Sequence, residues 1–396
     1  MPTWESGRCS LHGADPYDFS IYQQWFSVEM ACRGCTMNPA YSDLKAAWHI
    51  DRVAQLRKGE QIAPVELQFI LSDFCNHSCS WCAYRAETGL SSEKFVVYED
   101  GKRNHNPNRM IPTKKALQII DDAKTIGVKS IIFTGGGEPT VHPDHMEIFR
   151  YALDQDFDCS LNTNGNILRE GWDEVLPRFA YVRFSIDAGG AEEHARTRSI
   201  SPNMYPRILE NLRALCGEVK AQGSECVVGA GYVVTPDNYL GLTEGIRAIK
   251  AAGAAYVRIA SMQSTEGDAP FESIRHDVRG RIDASKSLES DGFSVVDLFD
   301  SRLGRTPVHP FCGMQQYVLY IGADLHVYRC CYTAYTGLGD IGDLRSQSFF
   351  SWFNSQEKRD AIGSFDARVC VTCPLEDKND AIRYAMNPKP LHVNFV

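Results

Sequence analysis

Short apolar runs alternate with amphipathic stretches along most of the chain from residue 65 onward. A short apolar run bounded by polar or glycine residues is typical of a buried strand, whereas apolar residues spaced three or four apart are typical of a helix that packs on a sheet. The pattern predicts strands at 65–71, 130–134, 158–162, 181–186, 226–234 and 256–260. It predicts helices at 42–58, 113–126, 145–155, 205–221 and 239–252.

This alternation predicts an α/β fold in which six strand–helix units form a partial (β/α)6 barrel with a parallel sheet and right-handed crossovers. In such folds the chemistry lies on loops at the carboxyl ends of the strands. The segments Cys75–Cys82 and Gly135–Glu138 both follow predicted strands directly, so we expect them to share one face. The polar stretch 87–109 predicts a long loop, either a lid over that face or a solvated surface loop.

The alternation of predicted strands and helices ends after residue 293. Apolar runs at 316–321 and 325–329 flank Gly322-Ala-Asp324 and predict a β-hairpin, with a helix expected over 348–354. These elements predict a small α+β extension. The expected organisation is an N-terminal segment (1–60), a barrel (61–293) and the extension (294–396).

Composition and charge narrow the functional class. The chain has 396 residues, of which 43% are hydrophobic and 23% charged, as expected of a globular protein. It shows no apolar run of membrane-spanning length and no signal-peptide pattern, so we expect a cytoplasmic protein. A net charge of −9 without a Lys/Arg-rich stripe argues against a nucleic-acid partner. Fourteen cysteines in such a chain indicate metal or redox chemistry rather than disulfides.

Three cysteines lie on one short segment after the first predicted strand, as Cys75-x3-Cys79-x2-Cys82, with Trp81 before the last. Iron–sulfur clusters are normally held by four cysteines, so three thiolates would leave one iron open to another ligand. The alternatives are a zinc site and three unligated buried thiols. Zinc usually takes four ligands, and His77 is the one nearby candidate for a fourth.

A second element, Phe133-Thr-Gly-Gly-Gly-Glu-Pro-Thr140, follows the second predicted strand. Glycines let the backbone approach a ligand closely. Together with the cysteine spacing, this loop resembles the signature of the radical S-adenosylmethionine (radical SAM) superfamily. The resemblance implies a [4Fe–4S] cluster on Cys75, Cys79 and Cys82 whose open iron binds the amino and carboxylate groups of SAM. One electron then cleaves SAM to methionine and a 5′-deoxyadenosyl radical.

The resemblance extends along the barrel, through Ser160–Gly165 and Arg183–Asp187. It implies that Ser185 and Arg198 hold the SAM carboxylate or ribose, since a hydroxyl and a planar cation both pair with carboxylate. The alternative makes Asp187 a helix cap and Arg198 part of a surface ion pair. The residues implied to bind SAM are Trp81, Gly135, Gly136, Gly137, Glu138, Asn162, Ser185 and Arg198.

A second cysteine set lies in the extension. Cys312 and Cys330 bracket the predicted hairpin, and Cys370-x2-Cys373 follows it. The pattern resembles the twitch extension, the shortened form of the SPASM domain, and implies one auxiliary [4Fe–4S] cluster with all four corners ligated. Structural zinc is the alternative.

The remaining clustered cysteines have open roles. Cys331 could replace Cys330 as a ligand, pack as a small side chain or donate a hydrogen atom to a substrate radical. Cys9, Cys32 and Cys35 could contribute to a further metal site or stay unligated.

These expectations combine into a radical SAM enzyme that abstracts a substrate hydrogen, with the auxiliary cluster favouring oxidation and a redox-neutral epimerisation also compatible. The substrate is expected to be a small sugar- or aminoglycoside-like molecule, because residues 1–60 do not resemble a leader-binding winged helix. Alternatives are a ribosomal peptide, a protein side chain or, less favoured, a nucleotide or tRNA. The expected partner is a one-electron reductant such as flavodoxin or ferredoxin. A two-cluster electron carrier would leave the glycine loop without a purpose, and a zinc-stabilised binding module would contain no iron.

Overall fold

The computed structural model describes residues 41–86, 88–91 and 109–387. The chain divides into two compact units, residues 1–42 and residues 43–396. Every element named below lies in the second unit. Cys9, Cys32 and Cys35, and most of the predicted loop over 87–109, lie outside the described residues.

One sheet organises the described chain. Its strands are β1 (Glu66–Ile70), β2 (Ser130–Thr134), β3 (Asp158–Thr163), β4 (Tyr181–Ser185), β5 (Val227–Val234), β6 (Tyr256–Ser261), β7 (Ser294–Leu298), β8 (Val318–Ile321), β9 (His326–Tyr328) and β10 (Asp340–Asp343). They lie in the order β10-β9-β8-β1-β2-β3-β4-β5-β6-β7. Neighbours from β1 to β7 are parallel, and this confirms the predicted α/β class.

Helices connect the parallel strands and flank the extension. They are α1 (Ile50–Arg57), α2 (Thr113–Ile126), α3 (His145–Asp154), α4 (Trp172–Val175), α5 (Ala191–Arg198), α6 (Met204–Ala221), α7 (Leu242–Ala251), α8 (Arg275–Lys286), α9 (Phe299–Leu303), α10 (Met314–Tyr317), α11 (Phe349–Phe353), α12 (Gln356–Gly363) and α13 (Glu376–Met386). The predicted helix over 42–58 is a 3₁₀ helix, Asp43–His49, followed by α1. None of these helices is long and apolar enough to cross a membrane.

The two faces of the sheet differ in chemistry. Alternate strand residues such as Leu67, Phe133 and Phe184 are fully buried in the core against the helices. The ring of Phe133 lies 4.6 Å from that of Phe149 in α3, centre to centre. Because side chains alternate along a strand, the residues between these point to the opposite face, which we call the inner face. The inner face is the polar one and carries, for example, Asn162.

The extension continues the barrel sheet instead of forming a separate one. β8 pairs in parallel with β1, the first of the barrel strands, and β9 pairs antiparallel with β8, which confirms the predicted hairpin. Two strands were not predicted: β7, which pairs in parallel with β6 at the point where the extension was expected to begin, and β10. The segment Asp340–Asp343 has one large apolar residue, so the sequence gives no strand pattern there.

Candidate active site

The cysteine loop, Cys75 to Cys82, begins just after β1. The amide of Cys82 donates to the carbonyl of Cys79 (3.2 Å), and the amide of His77 donates to Cys75 Sγ (3.4 Å). Burial raises the pKa of Cys75 to about 11 and that of Cys79 to about 12, and in both cases the nearby Cys82 thiolate adds to the shift. The three thiols of the loop therefore lie within electrostatic range of one another.

The end of α5 holds this loop in place. The amides of Ser78 and Ser80 donate to the carbonyls of Arg198 (2.9 Å) and Thr197 (3.1 Å). Two otherwise unsatisfied carbonyls at a helix end thus fix the loop backbone.

The Arg198 side chain connects the same loop to the end of β4. Its guanidinium pairs with the Asp187 carboxylate, donates to His77 Nδ1 (3.1 Å) and lies 5.7 Å from the centre of the Trp81 ring. Arg198 is 3% exposed and Asp187 1%. The other Asp187 oxygen accepts from the amide of Val233 (2.6 Å), so Asp187 caps no helix. The alternative of a cap and a surface ion pair is therefore wrong on both counts.

Burial and the contact with Arg198 together set the protonation state of His77. Burial, with a further contribution from Arg198, lowers the pKa of His77 to about 3. The ring is therefore neutral, and its Nδ1 accepts a hydrogen bond from the Arg198 guanidinium, which keeps its proton. This contact turns His77 toward α5, so in this arrangement Nδ1 is not available as a fourth ligand beside the three thiols.

The glycine loop, Gly135 to Glu138, lies against the cysteine loop. Gly137 N donates to Ser72 O (3.0 Å) and Glu138 N donates to Phe74 O (2.9 Å). A Cβ on Gly137 would lie 2.1 Å from the Phe74 carbonyl oxygen. The chain can pass this close only without a side chain, which is why a glycine is required at Gly137.

We expect Gly137→Ala to destabilise the fold by about 1–3 kcal/mol, because the added methyl group meets backbone that cannot rotate away. Urea unfolding would measure the loss. Gly190→Ala is the matched control, since a Cβ there meets nothing within 4 Å. Equal stability of the two variants would contradict the close approach.

Glu138 is buried, and its hydrogen bonds hold this loop in place. Its Oε1 accepts from Thr140 N (3.1 Å), Thr140 Oγ1 (2.8 Å) and Thr163 Oγ1 (2.6 Å), and its Oε2 accepts from Asn164 N (2.7 Å). Burial still raises the pKa of Glu138, although these bonds oppose the shift. The carboxylate therefore ties the glycine loop to the end of β3, and its contact with SAM stays a prediction.

Asn164 is a site residue that the sequence did not single out. Its Nδ2 donates to Asn76 Oδ1 (2.7 Å) and lies 3.9 Å from Cys75 Sγ. The predicted residue Asn162 lies two positions earlier in β3, where its Nδ2 donates to Thr134 Oγ1 (3.2 Å). The alternation of β3 offered a signal, because Asn162 and Asn164 share the inner face and Asn164 is nearer the loop.

The other predicted SAM-binding residues have defined places. Ser185 ends β4 on the inner face, in register with Gly231 of β5. Trp81 lies over Arg198, as described above. The structure thus brings the cysteine loop, the glycine loop and the ends of β3 and β4 to one edge of the sheet, as expected for parallel strands.

The second cysteine set converges in the extension. Burial raises the pKa of Cys312 to about 11 and those of Cys370 and Cys373 to about 12, and the Cys330 thiolate adds to each shift. Backbone bonds between Arg305 and Cys373 hold the last cysteine (2.8 Å from Cys373 N to Arg305 O). All four sulfurs therefore face one region.

Cys331 lies beside this set. A hydrogen bond with Cys331 is the largest cause of the raised pKa of Cys330. Negative charge on Cys331 also adds to the raised pKa of Tyr84, next to the cysteine loop. Cys331 thus lies between the two cysteine sets.

By number and type, the two donor sets fit iron–sulfur clusters. The loop offers three thiols, and the extension offers four. None of the described cysteines forms a disulfide. Within the described residues, no group of three or more His, Cys, Asp or Glu side chains is placed so that it could hold a metal ion.

A family model matches the part of the chain that holds the candidate site. Residues 69–238 match the model of the radical SAM superfamily, a range that includes the cysteine loop, the glycine loop and Arg198. The chain contains a radical SAM domain. This confirms the superfamily resemblance and the enzyme class that the sequence predicts.

Curated relatives match part of the chain. It is 31% identical over 155 residues to an AdoMet-dependent heme synthase of Methanosarcina barkeri, covering 39% of each protein. It is 33% identical over 158 residues to the mycofactocin maturase MftC of Mycobacterium ulcerans, covering 38% of the chain and 37% of the relative. An S-adenosylmethionine-dependent nucleotide dehydratase of Selenomonas ruminantium is 33% identical over 110 residues, which cover 28% of this chain and 32% of the relative. The chain thus spans well under half of each of these relatives.

Solved structures show the same fold over more of the chain. SuiB of Streptococcus suis, bound to its precursor peptide SuiA, matches with a TM-score of 0.56 at 14% identity, covering 91% of this chain and 83% of SuiB. AdoMet-bound anSMEcpe matches with a TM-score of 0.52 at 15% identity, and the match covers 75% of this chain and 83% of anSMEcpe. These likenesses confirm a partial barrel with an extension.

Proposed function

We propose that the radical SAM domain acts as an enzyme that cleaves SAM at a [4Fe–4S] cluster held by Cys75, Cys79 and Cys82. When bound, the cluster would supply one electron to SAM, and the resulting 5′-deoxyadenosyl radical would abstract a hydrogen atom from the substrate. The observation that carries the proposal is the meeting of a three-thiol loop and a glycine loop at one edge of the parallel sheet.

The chain's own residues would position the reactants. Arg198 and Asp187 fix the cysteine loop through His77 and Trp81, and Glu138 fixes the glycine loop. We propose that the loop backbone at Gly135, Gly136 and Gly137, with Asn162 and Ser185, contacts SAM on the inner face. Arg198 would act mainly as a positioning residue, because its guanidinium is already engaged by Asp187 and His77.

We propose that Cys312, Cys330, Cys370 and Cys373 hold an auxiliary [4Fe–4S] cluster. The convergence of four half-buried thiols supports this proposal. Such a cluster has no open corner, so its role would be electron transfer, and the substrate radical would be oxidised. A flavodoxin or ferredoxin would supply the reducing electron. The extension would comprise residues 294–396 and the barrel residues 61–293.

The proposed substrate is a small molecule, since the inner face carries bulky polar side chains such as Tyr181, Arg183 and Arg258. A peptide or protein side chain is the second candidate, because the chain is 33% identical to the mycofactocin maturase MftC over their matched residues. In that case the enzyme would be a maturase.

Anaerobic reconstitution of the wild type with iron and sulfide tests the proposal. We expect iron and sulfide for two [4Fe–4S] clusters, and 5′-deoxyadenosine once SAM and dithionite are added. Cys216→Ala, a change at a half-buried thiol on α6, should behave as the wild type. A protein that takes up both clusters but forms no 5′-deoxyadenosine above the enzyme-free background would contradict the proposed reaction.

A further inference from the structure

We propose that Arg329 holds a buried positive charge beside the auxiliary [4Fe–4S] cluster and thereby raises the reduction potential of that cluster. This inference rests on the proposed function, because it assumes that Cys312, Cys330, Cys370 and Cys373 bind the cluster. It adds a residue of the chain that would make the cluster a better acceptor for the electron of the substrate radical. Arg329 would act on the reaction through the cluster, as a positioning residue.

The Arg329 side chain is buried and held at every end of its guanidinium. The residue is 8% exposed. Its Nε donates to the Leu338 carbonyl (2.9 Å), and its Nη1 donates to Gln315 Oε1 (2.7 Å) and to the Ala361 carbonyl (3.2 Å). The guanidinium carbon lies 3.9 Å from the centre of the Phe365 ring. These contacts keep the charge in the interior of the extension, away from solvent.

The same contacts place Arg329 among the chain segments that carry the cysteines. Arg329 directly precedes Cys330. Its acceptor Gln315 is the third residue after Cys312, on α10. The aromatic ring against which it packs belongs to the fifth residue before Cys370. The guanidinium therefore connects the segments next to three of the four thiols.

Asn379 connects the fourth thiol to the same place. Its Nδ2 donates to Cys373 Sγ (3.8 Å), and its Oδ1 accepts from the amide of Met314 (2.9 Å), the second residue after Cys312. Asn379 is 2% exposed. One buried amide thus ties the last cysteine to the start of α10, the helix that also contacts Arg329.

Among residues 41–86, 88–91 and 109–387, no carboxylate pairs with Arg329. Its three acceptors are uncharged carbonyl oxygens. Acidic side chains beside the last cysteine have cations of their own, since Glu376 pairs with Arg383 (2.7 Å) and Asp377 pairs with Arg305 (2.6 Å). A guanidinium stays protonated, and a buried charge is costly unless an opposite charge lies near it. A cluster held by four thiolates would supply that opposite charge.

The position of this charge favours the reduced cluster. Reduction adds an electron to a group that its thiolates already make negative, so a fixed cation nearby stabilises the reduced form more than the oxidised form. Burial strengthens the attraction, because the interior screens charges less than water does. The hydrogen bond from Asn379 to the Cys373 sulfur acts in the same direction. The proposed oxidation of the substrate radical requires such an acceptor.

A redox titration of the reconstituted protein, followed by electron paramagnetic resonance, tests the inference. The auxiliary cluster gives the signal that added SAM leaves unchanged. Arg329→Gln keeps an amide donor and loses the charge, and it should lower the equilibrium constant for reducing this cluster by about tenfold or more, which corresponds to about 59 mV for one electron. Arg329→Lys keeps the charge and should stay within about threefold of the wild type. Arg345→Gln removes an exposed cation paired with Asp343 in the same extension, and it should leave the potential unchanged.

Iron and sulfide contents of the same samples separate this inference from the proposed function. A wild type that takes up a single cluster would contradict the auxiliary cluster itself, and the inference with it. Two clusters in the wild type and in Arg329→Gln, with the same auxiliary potential in both, would overturn the inference alone.

The lysine variant decides the case in which Arg329→Gln fails to take up the auxiliary cluster. An Arg329→Lys protein that takes up the cluster at the wild-type potential would support the role of the charge. An Arg329→Lys protein that also fails to take it up, or whose potential falls by tenfold in the equilibrium constant, would show that the hydrogen bonds of the guanidinium matter and its charge does not.

Discussion

The Cys75/Cys79/Cys82→Ala triple variant is expected to lose 5′-deoxyadenosine formation completely and to retain one cluster per chain. The three thiols are the proposed ligands of the SAM-binding cluster, and thiolates are what bind iron in such sites. The four thiols of the extension are unchanged, so the auxiliary cluster should still assemble. Iron counting, electron paramagnetic resonance and chromatographic detection of 5′-deoxyadenosine would measure both effects.

A Cys370/Cys373→Ala variant provides the matched comparison. It removes two ligands from the extension and leaves the cysteine loop unchanged, so it should keep the SAM-binding cluster and cleave SAM without completing an oxidation. Opposite losses in the two variants would establish separate roles for the two cysteine sets. If the triple variant still cleaved SAM, or if it lost both clusters while remaining folded, the assignment of the loop would be wrong.

Arg198→Leu is expected to lower the free energy of unfolding by about 3–5 kcal/mol, because it leaves the Asp187 carboxylate buried without its cation. Among the described residues, the Asp187 carboxylate would keep one donor, the amide of Val233 (2.6 Å). The variant also removes the contact with His77 Nδ1, so cluster incorporation into the cysteine loop should fall as well. Urea unfolding, together with iron content, would measure the two losses.

The double variant Asp187→Leu/Arg198→Leu separates the pair from the packing around it. Replacing both charges with apolar groups of similar size removes the buried carboxylate that has lost its cation. Most of the lost free energy of unfolding should therefore be recovered. Arg213→Leu is the control, since the pair of Arg213 with Glu210 is exposed and should contribute less than about 1 kcal/mol. A small loss for Arg198→Leu, similar to that control, would contradict the buried pair.

The local pattern of apolar residues was sufficient to predict the strands and helices that have a strong periodicity. The strand near 130–134 and the helix near 113–126 were both predicted within their observed bounds, β2 and α2, because each carries a clear apolar face. Seven of the thirteen described α-helices were missed, namely α4, α5, α8, α9, α10, α12 and α13, and two of them show why. α5 reads Ala-Glu-Glu-His-Ala-Arg-Thr-Arg, and α8 is largely charged, so neither has an apolar stripe that a sequence pattern can detect.

The sequence by itself determined the parallel sheet, the two cysteine sets and the glycine loop, because spacing along the chain carries those signals. Tertiary structure alone decided that Arg198 is buried against Asp187 and His77, and that Asn164 lies beside Cys75. It also decided that Arg302 donates a hydrogen bond to the Tyr332 hydroxyl (2.8 Å). These groups are distant in the chain and meet through strand register and helix docking, and a charged residue shows no sign in the sequence of which partner it will face.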